Sequence, residues 1–122
     1  MFDLRKIDAK IAEVMFLEKT FFNPSKNDWF KETSNGSQVT VEQYSTDISF
    51  AWKVLESMRK DHCCLTLESD FDYAWTITAT RPWRENPDHT PKTLYDGCME
   101  APTAICLAAL EAKGLDLKDF KK

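Results

Sequence analysis

One segment of the chain, Tyr44 to Glu56, constrains the fold more than any other. It opens with Tyr-Ser-Thr-Asp-Ile, in which Ser45 or Thr46 can accept the free amide hydrogens of a first helical turn. Asp47 then stands at the positive end of the helix dipole, where a carboxylate is favourable. We therefore predict that a helix begins here.

The residues of this helix separate into an apolar and a charged face, as expected for a helix packed on a core. The predicted buried face consists of Ile48, Ala51, Trp52, Leu55 and Met58. Phe50 falls away from that face, so we expect it to be either a solvated aromatic or a contact for a partner. The same reasoning leaves Tyr44 free to touch a ligand.

A second helix is predicted from Leu4 to Leu17, where apolar residues recur at helical spacing. Asp3 is a plausible cap for it, and Arg5 and Asp8 lie among the polar residues between the apolar ones. A third helix begins at Ala101-Pro102, because proline is tolerated in a first turn, and it ends at Gly114.

Strands are predicted in two places. Residues 63–68 and 73–80 alternate between apolar and polar side chains on either side of a turn at 69–72, which is typical of an antiparallel hairpin. Residues 38–41 form a weaker, short edge strand. Trp29 and Phe30 form an aromatic pair within an otherwise polar stretch of turns.

Residues 81–98 contain three prolines, Pro82, Pro87 and Pro91, and we predict a long loop. Residues 117–122 are expected to be a flexible tail. The predicted elements describe one domain over residues 1–122: an α+β fold, a small alpha/beta/alpha sandwich of about three helices packed on a short antiparallel sheet.

The composition excludes several functional classes. The 122 residues carry a net charge of −4, which argues against non-specific binding to nucleic acids or anionic membranes. No run approaches the ~20 apolar residues that span a bilayer, and the N-terminal residues do not form a signal peptide, so we expect a cytoplasmic protein. The four cysteines lack C-x-x-C spacing and are predicted to be reduced and mostly buried.

Several stretches resemble the phage ABA sandwich domain family, small proteins of tailed phages and prophages. The residues that carry the resemblance are Tyr44 to Ile48 with Ala51-Trp52, the hairpin, Ala101-Pro102 with Ala104 to Leu110, and Ile7 to Glu13. The resemblance implies an alpha/beta/alpha layering and a phage or prophage accessory protein in the cytoplasm of an infected or lysogenic bacterial host. It implies no reaction and no catalytic residues.

The candidate binding residues lie mainly in the predicted loop. Arg81 and Arg84 flank Trp83, and His89 follows; arginine suits phosphate or carboxylate groups, and an indole suits a nucleobase. Trp29 and Tyr44 would add stacking surfaces if the short strand lies beside the hairpin. The alternative is that Trp83 folds onto the core and the arginines are solvated.

The sequence signals for a catalytic site or a metal site are weaker than those for a binding site. Cys63 and Cys64 point to opposite faces of a strand and cannot easily share one ion with His62, His89 or Cys98, so we predict no metal site and no cofactor. Acidic residues at the hairpin turn, Glu68, Asp70 and Asp72, are typical of turns. Cys98 is the best candidate for a thiol nucleophile, but no phosphate loop, dinucleotide fingerprint, zinc-protease motif or serine-hydrolase elbow is present.

The sequence therefore favours a non-enzymatic protein that acts by binding. Its expected role is counter-defence, either by inhibiting a host defence protein or by sequestering a nucleotide-derived signal. A homo-oligomer is plausible because a small sheet leaves edges to cover. The alternatives are a minor virion structural or assembly protein and a small hydrolase that uses His89 and Cys98.

Overall fold

In the computed structural model, the described residues are 2–60, 64–69, 74–80, 92–98 and 100–122, with only the backbone described at 64, 79, 80 and 92–98. The elements in chain order are α1 (Leu4–Phe16), β1 (Thr20–Asn23), β2 (Asp28–Glu32), β3 (Gln38–Thr40), α2 (Ile48–Arg59), β4 (Cys64–Ser69), β5 (Trp75–Thr80), β6 (Lys92–Cys98) and α3 (Ala101–Ala112). A short 3-10 helix, Leu117–Phe120, follows.

Helix α3 is the centre of the fold. Every residue from Thr103 to Leu110 is buried, because this helix is apolar on all sides and its alanines let neighbouring elements approach closely. It contacts α1, α2, the 3-10 helix and strands β5 and β6. Pro102 lies in its first turn and Gly114, with a φ of +82°, follows its end, as predicted.

The described strands form two antiparallel sheets, in the orders β1-β2-β3 and β4-β5-β6. The first contacts α1 and the second contacts α3, which confirms the predicted small α+β sandwich. The prediction of one sheet was incomplete, since β1 and β2 were missed. Their aromatic residues come as neighbours, Phe21-Phe22 and Trp29-Phe30, and do not show the alternation that reveals a strand.

The predicted hairpin is present: Leu65 pairs with Ala79 and Leu67 with Ile77. The predicted loop of residues 81–98 is wrong for its last seven residues, which form β6 beside β5. The pairing of β5 with β6 has two register irregularities, so β6 is not the regular strand that a simple period of two predicts.

Two predictions about α2 need correction. Asp47 is the N-cap, since its carboxylate accepts from the Ser49 backbone N–H at 2.9 Å; Ser45 and Thr46 do not have that role. Ile48 and Trp52 are each 54% exposed and do not belong to the core. The buried face is rotated about the helix axis relative to the predicted one, and it consists of Ala51, Val54, Leu55 and Met58.

The C-terminal residues also differ from the flexible tail that the sequence predicts. Phe120 is buried against the core, and its carbonyl accepts from the Asp3 backbone N–H at 2.7 Å. Phe2 and Lys121 form an isolated antiparallel bridge. The buried Phe120 ring, this backbone hydrogen bond and the bridge together hold the tail beside the first helix.

Candidate functional site

Four of the six predicted binding residues, Arg81, Trp83, Arg84 and His89, lie outside the described residues. The hypothesis of an arginine and tryptophan site there stays a prediction. The candidate site is therefore built from the two predicted residues that the structure describes, Trp29 and Tyr44, and from their neighbours.

Trp29 lies on β2, half-buried, with its ring edge-on to Phe22 at a centroid distance of 5.5 Å. The short strand β3 pairs with β2 and not with the predicted hairpin, so the condition for placing Trp29 beside that hairpin is not met. Trp29 contributes instead to packing between the first sheet and the core.

Tyr44 is also less free than predicted, since only 4% of its surface is exposed. Its ring stacks on Phe16 at 5.3 Å, and its hydroxyl donates to Glu42 Oε2 at 3.0 Å. Burial and the neighbouring Glu42 carboxylate raise the pKa of Tyr44 far above its usual range, so the phenol stays protonated. Tyr44 therefore supports the site and has no open face for a ligand ring.

Phe50 completes an aromatic cluster with Tyr44, because the two rings meet edge to face at 6.0 Å. Lys53 lies one helical turn further along α2, and its ammonium is 5.4 Å from the centre of the Phe50 ring. The cluster borders an open cavity of about 330 Å³, which we call the Tyr44 cleft. It is lined by Phe16, Glu18, Lys31, Glu42, Tyr44, Phe50 and Lys53.

Within the described part of the chain, the Tyr44 cleft contains two lysines, of which Lys31 is paired with carboxylates and Lys53 is not. Lys31 Nζ lies 2.5 Å from a carboxylate oxygen of Glu18 and 2.7 Å from one of Glu42. Burial alone would lower the pKa of Lys31, but hydrogen bonds to Glu18 and Glu42 outweigh it and the pKa is raised. The pKa of Glu42 is correspondingly lowered, because the bonds from Lys31 and Tyr44 outweigh the effect of burial.

Lys53 has no comparable partner: among the described residues, no carboxylate lies within 4.0 Å of its ammonium. The cleft thus combines aromatic walls from Phe16 and Phe50 with one cation that is not neutralised by a carboxylate there. Its volume falls at the lower end of the roughly 300–1,000 Å³ of small-molecule pockets. Chemically, this arrangement suits a planar ring that carries a negative group.

A second ionic network, beneath α1, is structural. The Arg5 guanidinium donates to Asp8 Oδ2 at 2.7 Å, to Asp28 Oδ1 at 2.8 Å and to the Val41 carbonyl at 2.7 Å. Asp8 is fully buried and its other oxygen accepts from the Ser45 backbone N–H at 2.7 Å. This network ties α1 to β2 and to the segment before α2.

Ser45 has a different role from the predicted cap. Its backbone N–H binds Asp8, its hydroxyl donates to the Leu4 carbonyl at 3.3 Å, and its carbonyl accepts from Thr103 Oγ1 at 2.8 Å. Ser45 therefore joins the starts of α1 and α3. The sequence did not reveal this connection, since Asp8 and Thr103 each resemble an ordinary polar position on a helix.

No described group supports the catalytic alternatives. The Cys106 thiol is buried, and burial raises its pKa well above the usual range, so it does not form the thiolate that a nucleophile requires. Within the described ranges, no three metal-ligating side chains come together, and no helix is both long and apolar enough to cross a membrane. His62, His89 and Cys63 fall outside those ranges, and only the backbone of Cys98 is described.

Ile48 and Trp52 form a second feature on the surface. They lie one turn apart on α2 and share one side of the helix, where each is about half exposed. Glu56, one helical turn beyond Trp52, pairs with Arg59. An exposed tryptophan beside an aliphatic side chain is a common composition for a protein-contact surface.

Comparisons with known proteins agree with this architecture. A crystal structure of a phage protein from Bacillus cereus ATCC 14579 has the same fold, with a TM-score of 0.69 and 19% sequence identity, over 96% of this chain and 93% of that one. No curated protein matches. Residues 9–110 match the phage ABA sandwich domain, which accounts for most of the chain. The protein belongs to the phage ABA sandwich domain family.

Proposed function

We propose that this phage protein is a non-enzymatic accessory factor that acts in the host cytoplasm by sequestering a nucleotide-type immune signal. The observation that carries the proposal is the pairing, in the Tyr44 cleft, of an aromatic wall at Phe50 with a lysine that no described carboxylate neutralises. Nucleotides present the matching combination of a planar ring and phosphate groups.

The contacts in the cleft suggest a division of roles. Lys31 is already held by Glu18 and Glu42, so binding a phosphate there would require breaking two ion pairs. Lys53 can turn from the face of Phe50 toward a phosphate at little cost, because it leaves only an exposed cation–π contact. A base could then pack against the ring that Lys53 leaves.

Affinity purification from phage-infected host cells tests the proposal. The protein is denatured, and the released small molecules are identified by mass spectrometry. We expect a nucleotide with the wild-type protein and little or none with Lys53→Gln combined with Phe50→Leu. The matched control is Lys60→Gln, which removes an exposed lysine at the end of the same helix. Recovery of the same nucleotide from the double variant would contradict the site.

The same preparation separates the remaining alternatives. Conversion of an added nucleotide into a product would favour a small hydrolase, whereas recovery of the protein with mature particles would favour a virion component. Either outcome would overturn sequestration as the main role.

A second candidate function is inhibition of a host defence protein, and the exposed Ile48 and Trp52 pair favours it. Aromatic side chains at the centre of interfaces often dominate binding energy. Replacing both residues with serine should abolish co-purification of a host protein without lowering the melting temperature, because neither side chain is in the core. Retention of the host protein by this double variant would eliminate the surface as its docking site.

A further inference from the structure

The free edge of the first sheet carries an inference about self-association that is independent of any ligand. Within the described residues, strand β1 pairs with β2 on one side only, with Phe21 opposite Phe30 and Phe22 opposite Trp29. Thr20–Asn23 itself contains neither proline nor lysine, two residues that block the pairing of edge strands with another chain; Lys19 and Pro24 flank it on either side.

The hydrogen-bond pattern shows which groups of β1 point outward. The Val41 backbone N–H donates to the Trp29 carbonyl at 3.1 Å, so Trp29 directs its backbone groups toward β3. Directions alternate along an antiparallel strand, and Phe30 therefore directs its groups toward Phe21. It follows that the N–H and C=O groups of Thr20 and Phe22 face away from the sheet.

We propose that β1 pairs antiparallel with β1 of a second copy of this chain, with Thr20 of each copy opposite Phe22 of the other. Both residues direct their backbone groups outward, so each opposing pair exchanges two hydrogen bonds. The two three-stranded sheets then form one continuous sheet across a two-fold axis.

The neighbouring registers give fewer of the outward backbone groups of β1 a hydrogen-bond partner. Moving the pairing toward the end of β1 places Thr20 opposite Pro24, which has no N–H to donate. Moving it toward the start places Phe22 opposite Glu18, whose N–H is already donated to the Ala12 carbonyl at 3.0 Å. The proposed register alone matches every outward group of the strand with a partner.

Side chains and charges are compatible with a second copy in this register. Lys19 stands opposite Asn23 of the other chain and Phe21 opposite its own counterpart, so no like charges face each other. Phe22 is 43% exposed and becomes a diagonal neighbour of the second Phe22, within reach of an aromatic ring. Leu17, just before the strand, is 88% exposed and adds apolar surface beside this edge.

The other edge of the same sheet is less suited to pairing. Strand β3 has three exposed residues, and its outward groups belong to the polar Gln38 and Thr40. This contrast assigns the pairing to β1 and supplies a matched control.

The test is analytical ultracentrifugation of the purified full chain over a wide range of concentrations. We expect a reversible dimer of twice the chain mass for the wild type. Thr20→Pro, which removes an outward N–H from each copy, should raise the dimer dissociation constant by about tenfold or more. Thr40→Pro makes the equivalent change on the β3 edge and should leave the constant unchanged.

Phe22→Lys is the second variant, in case Thr20→Pro does not fold, as judged by circular dichroism. It places a cation near its own counterpart across the two-fold axis and should also give a monomer. A wild-type chain that is monomeric at all concentrations would overturn the proposal. So would a dimer that persists in both β1 variants, or one that is lost in Thr40→Pro alone.

Discussion

Among the described residues, two ionic networks each hold one cation between two carboxylates. Arg5 binds Asp8 and Asp28 beneath α1, whereas Lys31 binds Glu18 and Glu42 in the Tyr44 cleft. They differ at one carboxylate: Asp8 is fully enclosed, whereas Asp28 and both glutamates each keep about a quarter to a third of their side-chain surface exposed. The enclosure of Asp8 therefore distinguishes the network that holds the fold from the one that can border a ligand site.

The difference also appears in the pKa values of the carboxylates. For Asp8, desolvation outweighs the bonds from Ser45 and Arg5, so its pKa is raised. For Glu42, the bonds from Lys31 and Tyr44 outweigh desolvation, so its pKa is lowered. The same pairing of charges thus leads to opposite pH dependences of stability.

The largest expected effect is that of removing the cation of the buried network. Arg5→Ala leaves Asp8 enclosed without its ion pair and also frees the Val41 carbonyl. We expect a loss of about 3 kcal/mol in the free energy of unfolding, measured by urea denaturation. Arg59→Ala is the control, because Arg59 is exposed and pairs only with Glu56 in the described structure; it should cost less than about 0.5 kcal/mol. Equal losses of unfolding free energy in the two variants would contradict the distinction between the enclosed network and an exposed ion pair.

The pH dependence of Asp8 gives a smaller effect of defined sign. Because the folded-state pKa is raised above 3.8, the wild type should gain stability relative to Asp8→Asn as the pH falls toward 3.8. That gain is complete below the ordinary pKa and lost as the pH rises through the raised one. Urea denaturation of both proteins across this range measures the difference. A gain on raising the pH would show that the ion pair outweighs desolvation.

Glu42 should behave in the opposite way and more weakly, since it is partly exposed. Its folded-state pKa is below 4.5, so the stability of the wild type relative to Glu42→Gln is fully present above pH 4.5. It should disappear as the pH falls through the lowered pKa. The same denaturation series measures it. An advantage that grows in acid would mean that Lys31 does not stabilise this carboxylate.

Much of the fold follows from local patterns. The predicted helix from Leu4 to Leu17 matches α1 within one residue, and the predicted start of α3 at Ala101 is confirmed. These boundaries depend on side chains adjacent in sequence, such as the Asp3 cap, which accepts from the Lys6 backbone N–H. The α+β sandwich follows from the same patterns.

The site could not be predicted in the same way, because its groups come together only in the folded chain. Lys31 resembles an ordinary solvated lysine until the fold brings Glu18 to it, and Phe50 was recognised as unusual without its neighbour Tyr44. Trp52 was placed in the core because its spacing fits the apolar face, yet Val54 fills that place. Periodicity gives a helix face only to within about one residue in rotation.

The most direct test of the account is to titrate adenosine monophosphate and adenosine into the protein and follow backbone amide shifts by NMR. We expect adenosine monophosphate to shift residues of the Tyr44 cleft and to bind about tenfold more tightly than adenosine, because Lys53 binds the phosphate. Lys53→Gln should remove that preference and Lys60→Gln should keep it. An equal preference in both variants, or shifts confined to the buried Arg5 network, would contradict the assignment of the Tyr44 cleft to ligand binding.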